Sequence, residues 1–332
     1  TLTIQAGRIS AASSVSRTTA VAWVLGGDIS LGHPTDAYVG TLRFTGSGTL
    51  TGSRILTVDS PAVFAGAIGD GGNNYALTKR GESLLRLSGT NTYGGGTMIE
   101  TGVVAFTSKS AKPASGSVAA GPRGVVSIGV DESDSAYWSS SDLDDLWDDN
   151  LAGVVLDPSS LIGVDVRELT TFTYSTPQST RGLVKTGMGT LVLNAPNTYS
   201  QVVLFEGTVR QGTSGAIPNN GVVLFASRGN SDPADAVGIL DLNNIATTLT
   251  RLEGYGGGRI TNANLTVNIG DSQAYQGRFD GPGTITKSGL GTWRLYGNSS
   301  LFEGSFTLQN GTIEIGHNNA LGVKSNVVLY LD

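Results

Sequence analysis

Apolar and polar residues alternate in short runs along most of this chain. Leu85 and Leu87 flank Arg86, Leu191 and Leu193 flank Val192, and Trp293 and Leu295 flank Arg294. A period of two puts the flanking pair on one face of a pleated strand and the middle residue on the other. Runs such as "GTMIETGVVAF" and "QVVLFEGTVR" continue the pattern, and clusters of Gly, Asn, Asp and Ser break it every few residues. Short strands separated by tight turns are therefore expected, and long helices are not.

Three of these runs are copies of one another. "LTKRGESLLRLSGTNTY" (77–93), "LVKTGMGTLVLNAPNTY" (183–199) and "ITKSGLGTWRLYGNSSL" (285–301) align on Lys79, Lys185 and Lys287. Two positions after each lysine stand Gly81, Gly187 and Gly289, and eight after it Leu87, Leu193 and Leu295. Asn91 with Tyr93 and Asn197 with Tyr199 follow in the turns. The asparagines are expected to take positive φ or to bond their own backbone. The lysines read as charges at the start of each strand, keeping a sheet edge soluble and discouraging wrong pairing.

Short strands without intervening helices fit a sandwich, a barrel or a solenoid, and the self-similarity selects the solenoid, whose units bury their apolar faces only by stacking. The expected fold is all-β: a right-handed parallel β-helix with about 20 to 25 residues per turn, one elongated body over 1–332. The pattern "LTKxGxGTLxLSGxNTYxGGTxxxxG" resembles the autotransporter-associated β-strand repeat, also called the passenger-associated transport repeat. Residues 77–102 follow it closely; the second copy has "QVV" in place of Gly-Gly-Thr, and the third has Leu301 in place of the tyrosine. The resemblance implies an exported protein with a β-helical body, on or outside a Gram-negative-type bacterium. It implies no catalytic residue and no cofactor.

Composition narrows the function classes. Glycine is abundant, at 48 of 332 residues, whereas charged residues make up only 14% and the net charge is −6. Lys and Arg do not cluster, so the counterion release that drives nucleic-acid binding has no footprint. No run reaches the roughly 18 apolar residues of a membrane helix. Cysteine is absent, and the two histidines, His33 and His317, fall in separate turns, which argues against zinc. The glycine run "GYGGGR" at 254–259 reads as a solenoid turn. The chain opens on "TLTIQAG" and stops at "VVLYLD" with no polar cap at either end, so it is expected to continue into a longer chain or onto like subunits head to tail.

One stretch breaks the rule. "DESDSAYWSSSDLDDLWDDN" (131–150) holds eight carboxylates and no base, and within it Leu143, Leu146, Trp147 and Leu151 fall at helical spacing. A projecting acidic insertion over 131–151 is expected, a loop or short helix that starts with a capping box of Ser141 and Asp144. It reads first as a decoration whose Leu and Trp face packs on the solenoid. A second reading is a contact to a host or matrix glycan or protein through Trp138, Asp144, Asp145, Trp147 and Asp148. A third is calcium, although the spacing matches neither known acidic loop pattern. The enzyme alternative, a polysaccharide lyase or hydrolase, needs carboxylates from neighbouring turns, and the candidates are Glu100, Glu206 and Asp241.

Overall fold

The computed structural model describes residues 1–34, 40–226, 238–254, 257–323 and 326–329. The rest of "LGHPTD" after Pro34, the middle of "GYGGGR" at 255–256 and the final 330–332 lie outside the described residues. Two compact units divide the chain, one over Thr1–Arg167 and one from Glu168 onward. Each is a coil of parallel strands, the β-helix expected from the repeat.

In the first unit, each turn contributes strands to vertical ladders. One ladder runs through Leu2–Ile4, Trp23–Leu25, Gly48–Leu50 and Ile68–Gly69. A second passes through Ile29–Leu31, Arg54–Val58 and Leu77–Arg80 to the first halves of Thr97–Phe106 and Val118–Val130. A third passes through Leu42–Phe44, Ala62–Phe64 and Leu84–Leu87 to their second halves. Successive turns take 19 to 27 residues, as from Leu84 to Val103 and from Ile29 to Leu56, until Val118 meets Val154, 36 residues on. That long turn is where the acidic insertion enters.

The second unit follows the same plan. Its interior holds a run of aromatics: Phe279 lies 5.3 Å from Tyr275, 5.5 Å from Phe306 and 5.9 Å from Trp293 between ring centroids. In the first unit Trp23, Phe44 and Phe64 form the equivalent cluster, with Trp23 and Phe64 at 4.8 Å. Leu85, Leu87, Leu191, Leu193, Trp293 and Leu295 are all buried, so the period-2 reading placed the core correctly.

The repeats do not stack on one edge. Lys185 pairs with Leu204, Leu204 with Phe225, Phe225 with Gly254, Gly254 with Tyr275 and Tyr275 with Leu295. The strand bearing the lysine of the second repeat thus shares a ladder with the second strand of the third. Lys287 sits in a different ladder, opposite Val267 and Leu308.

The lysines themselves overturn the reading of them as solubilising edge charges. Lys79, Lys185 and Lys287 are completely buried. At each repeat the chain bends after the lysine through a left-handed glycine, Gly81, Gly187 or Gly289, with φ of 81°, 74° and 76°. A side chain at that φ is strained, which is why glycine recurs there. The bend turns carbonyls inward, off the ladders. Each ammonium answers three of them: Lys79 Nζ donates to Gly81, to Ser83 at 2.6 Å and to Thr101 at 2.8 Å. Lys185 donates to Thr186, Gly187 and Glu206 at 2.7, 2.6 and 3.3 Å, and Lys287 to Ser288, Gly289 and Asn310 at 2.6, 2.7 and 3.2 Å. The last acceptor of each set belongs to the following turn. Lysine suits the task because its three donors are grouped on one atom.

Asn91 also differs from expectation, and Asn197 does so in part. Neither has positive φ. Instead the Asn91 side chain accepts from Ile68 N at 2.9 Å, one turn below, and donates to the Ala111 carbonyl at 2.6 Å, one turn above. Asn197 likewise joins Gln178 N to the Ala216 carbonyl and also bonds its local backbone as expected, donating to the Ala195 carbonyl at 3.1 Å. In the third repeat the same position is Ser299, whose hydroxyl accepts from Phe279 N at 3.1 Å. Tyr93 and Tyr199 are buried beside these amides, whereas Leu301 turns outward and Phe302 fills the interior. Asp70, in the lead-in to the first repeat, ties turns in a similar way by accepting from Gly72, Tyr75 and Gly94 N, each at 2.9 Å.

Two tests follow from these corners. Replacing Lys79 by Met orphans three buried carbonyls and is expected to destabilise the protein by about 3 kcal/mol; a urea midpoint equal to wild type would overturn the assignment. Burial pushes the Lys79 ammonium down to about 7, against partial opposition from Glu82 and Asp59. Between that value and its ordinary range the unfolded chain holds a proton that the folded chain has released, so wild-type stability rises with pH from about 7 towards 10. The Met variant should lose the Lys79 share of this rise and keep the part that burial of Lys112 and Lys287 contributes. Above pH 10 both proteins should weaken, because burial also raises the Tyr93, Tyr199 and Tyr275 phenols. Asp70 shifts in the same direction for a different reason: the Gly94 N–H, then Gly72 and Tyr75, outweigh burial and hold its carboxyl below its usual value. Its contribution is complete above the unfolded pKa and is lost as pH falls through the folded one. Asp70→Ala should cost about 2 to 4 kcal/mol by denaturant unfolding at pH 7; a cost below about 0.5 kcal/mol would count against this.

Candidate functional site

The insertion begins where strand Val118–Val130 ends. Trp138 returns to that strand's end in a parallel bridge with Val130, its N–H donating to Gly129 at 2.9 Å while Asp131 N donates to its carbonyl at 3.0 Å. The helix Ser140–Trp147, α1, follows. A capping box starts it, formed by Ser139 and Asp142, two residues earlier than the Ser141 and Asp144 the sequence suggested. Ser139 has the extended backbone an N-cap needs; Ser141 lies inside the helix.

Leu143, Leu146 and Trp147 on α1 and Leu151 beyond it are buried, as the decorating reading requires. Trp138 and Trp147 are only 5% and 4% exposed, so neither indole is the open platform that the partner-contact reading placed there. The reason is geometric: Trp138 is bridged to Val130 at the strand end, and Trp147 is buried on α1 together with Leu143 and Leu146. The insertion is further fastened by Lys109 to Asp142 at 3.3 Å and by Arg167 to Asp131 at 2.8 Å. Arg167 also covers the Tyr137 ring, 4.8 Å from its centroid. The Ser133 hydroxyl and N–H, followed by Arg167, hold the Asp131 carboxyl below its usual range.

Asp144 stays partly exposed, and Asp145 and Asp148 are exposed. They crowd the C-terminal half of α1, where no base is present in the last turn. The helix dipole is negative at that end, so carboxylates there oppose it. The helix dipole therefore does not account for this cluster.

The carboxylates weighed for hydrolysis are occupied. Glu100 takes Arg80 Nε at 2.6 Å and Nη2 at 3.0 Å, and that ion pair lowers its pKa. Glu206 accepts from Gly187 N at 3.1 Å, and Asp241 from Asn243 N and Asn262 Nδ2 at 2.9 and 2.8 Å. Among the described residues no group of three or more His, Asp or Glu side chains is placed to hold a metal ion. His317 Nδ1 accepts from Asn319 N, and the His33 N–H donates to Ser60.

The sequence reading missed a polar cleft in the second unit. It has a volume of about 390 Å³ and is lined by Gln276, Gly277, Arg278, Gly297, Asn298, Ser300 and Leu301. Its two halves are 20 residues apart in sequence and meet only through the register of Tyr275 with Leu295. No local motif marks it.

Comparison with known proteins identifies the repeat. Residues 77–106, 183–201 and 285–315 match the family described as passenger-associated-transport-repeat. The chain carries three passenger-associated transport repeats. This repeat protein is also 37% identical over 153 residues to a curated protein of Brucella suis biovar 1 (strain 1330), named "Adhesin BmaC autotransporter". That alignment covers 44% of the chain and 4% of the Brucella protein, so the chain spans a small part of its relative's length. No solved structure matches. The repeats coincide with the three lysine corners, and the acidic insertion lies between the first and second matches.

The dipole argument is testable. Asp148→Asn with Asp149→Asn should stabilise α1 by about 0.3 to 1 kcal/mol, read as slower hydrogen exchange of the amides at 142–148. Faster exchange would mean that these carboxylates support the helix after all.

Proposed function

We propose that this chain is an adhesive passenger segment displayed at the outer surface of a Gram-negative bacterium, a structural and not a catalytic protein. The observation that carries the reading is the 37% identity to a protein named as an autotransporter adhesin. The stacked turns are the scaffold, stiffened by backbone ladders and lysine corners. The exposed carboxylates of the insertion, Asp144, Asp145 and Asp148, are the contact for a basic patch on a host or matrix protein or glycan-bearing surface. Two features support that role: the carboxylates oppose the helix dipole, and the insertion is the longest departure from the regular turn among the described residues of the first unit. Adhesion of this kind weakens with salt, since exposed charges are screened beyond about 8 Å at physiological ionic strength.

Beads coated with the purified chain provide the test. Wild-type beads should bind host cells or extracellular matrix, and the variant Asp144→Asn, Asp145→Asn, Asp148→Asn should bind several-fold less with an unchanged circular dichroism spectrum. Failure of wild-type beads to bind either surface would remove the adhesive reading; equal binding by the variant would move the contact away from the insertion.

A further inference from the structure

The cleft at Gln276–Leu301 sets a guanidinium held by a buried carboxylate beside polar side chains of the next turn. Its floor is glycine: a Cβ on Gly297 would collide with the carbonyl of Gly277, and a Cβ on Gly277 with that of Gly258. These glycines let the main chains of successive turns approach closely, and the cleft lies among the side chains around Gly277 and Gly297.

Arg278 forms one wall, and its orientation is fixed from below. Its Nε donates to Asp280 Oδ2 at 3.1 Å, and Arg259 Nε donates to the same oxygen at 2.6 Å. Asp280 is 6% exposed, whereas the Arg278 side chain is 44% exposed. One buried carboxylate thus anchors two guanidiniums, and the group carries a net positive charge on a chain whose own balance is −6. The terminal Nη groups of Arg278 have no partner among the described residues. The same holds for the Gln276 amide, the Ser300 hydroxyl and Asn298 Nδ2. Leu301, 61% exposed, adds an apolar surface to the lining.

We propose that this cleft binds a sugar unit bearing an anionic group. Arg278 takes the oxyanion, because a guanidinium held at Nε presents its outer nitrogens in the fork that matches carboxylate and sulfate. Gln276, Asn298 and Ser300 meet ring hydroxyls as donors or acceptors, and Leu301 meets a C–H face. The volume lies in the lower part of the roughly 300 to 1,000 Å³ common for small-molecule sites, well suited to one sugar ring. The lining contains no aromatic slot for a nucleobase. The proposal rests on the adhesive reading for its biological setting, while the site is tested separately.

The test titrates the purified chain with glucuronate, N-acetylneuraminate, glucose 6-sulfate and neutral glucose, read by saturation-transfer NMR and calorimetry. Saturable binding of at least one acidic sugar, with glucose at least tenfold weaker, is expected; a carboxylate-only or sulfate-only response identifies which anion the cleft prefers. Arg278→Ala should weaken binding at least tenfold. Because that change also alters the Asp280 pair, Ser300→Asp provides a second variant that leaves Arg278, Arg259 and Asp280 in place and should abolish binding through charge repulsion. Absence of binding to all three acids, or equal binding by Ser300→Asp, overturns the proposal. Cell adherence without sugar binding would remove the site and leave the adhesive reading intact, and sugar binding without adherence would do the reverse.

Discussion

A chain coiled into stacked turns must bend at every corner, and at a bend the carbonyls leave the direction in which the neighbouring turn can accept them. Buried acceptors without donors are costly, roughly 1 to 3 kcal/mol each. The buried ammonium of Lys79, Lys185 or Lys287 resolves this at the repeat corners by gathering two carbonyls of its own bend and one of the next. Strand pairing fixes the spacing of the turns, but these lysines fix the way the turns bend. The asparagines at 91 and 197 do related work in the turn that follows, passing a hydrogen bond up and down the stack. The lysine, glycine and asparagine that recur in the repeat are therefore the residues of a corner, placed where main-chain geometry leaves gaps.

Much of this was legible in the sequence, and the errors have a common physical origin. Alternation identified Leu85, Leu87, Trp293 and Leu295 as core because apolar burial is what period two reports. It gave the wrong environment for the lysines because a charge is expected in water, and nothing local to "LTKRG" shows that three carbonyls converge on it. It gave Asn91 a local partner because its true partners lie 23 residues earlier and 20 later. The helix of the insertion was legible from Leu143, Leu146 and Trp147, while its start was misplaced by two residues because Ser139, Ser140 and Ser141 all suit a cap by type. The cleft around Arg278 was invisible because Gln276 and Ser300 become neighbours only after the turns are in register.

The insertion and the cleft also differ in kind. The first adds chain to a turn and then fastens it with Trp138, Lys109 and Arg167, so its folded part is secured before its acids are exposed. The second adds nothing; closely stacked turns at Gly277 and Gly297 and one oriented arginine shape it. A solenoid can acquire a surface feature by either route without disturbing its ladders, because each turn is held chiefly by the turns directly above and below it.

The shared ladder of Lys185 and Leu295 has a consequence for how such chains grow. A repeat that starts on one edge of the coil and recurs on another need not be copied in whole turns: any duplicated block that ends at a corner can resume at the next free one. Successive copies then carry their outgrowths and furrows around the axis instead of along one side. A chain lengthened in this way would gain reach and would also offer its surface features at more than one compass bearing, so that contact would not require the body to be rolled into a single orientation.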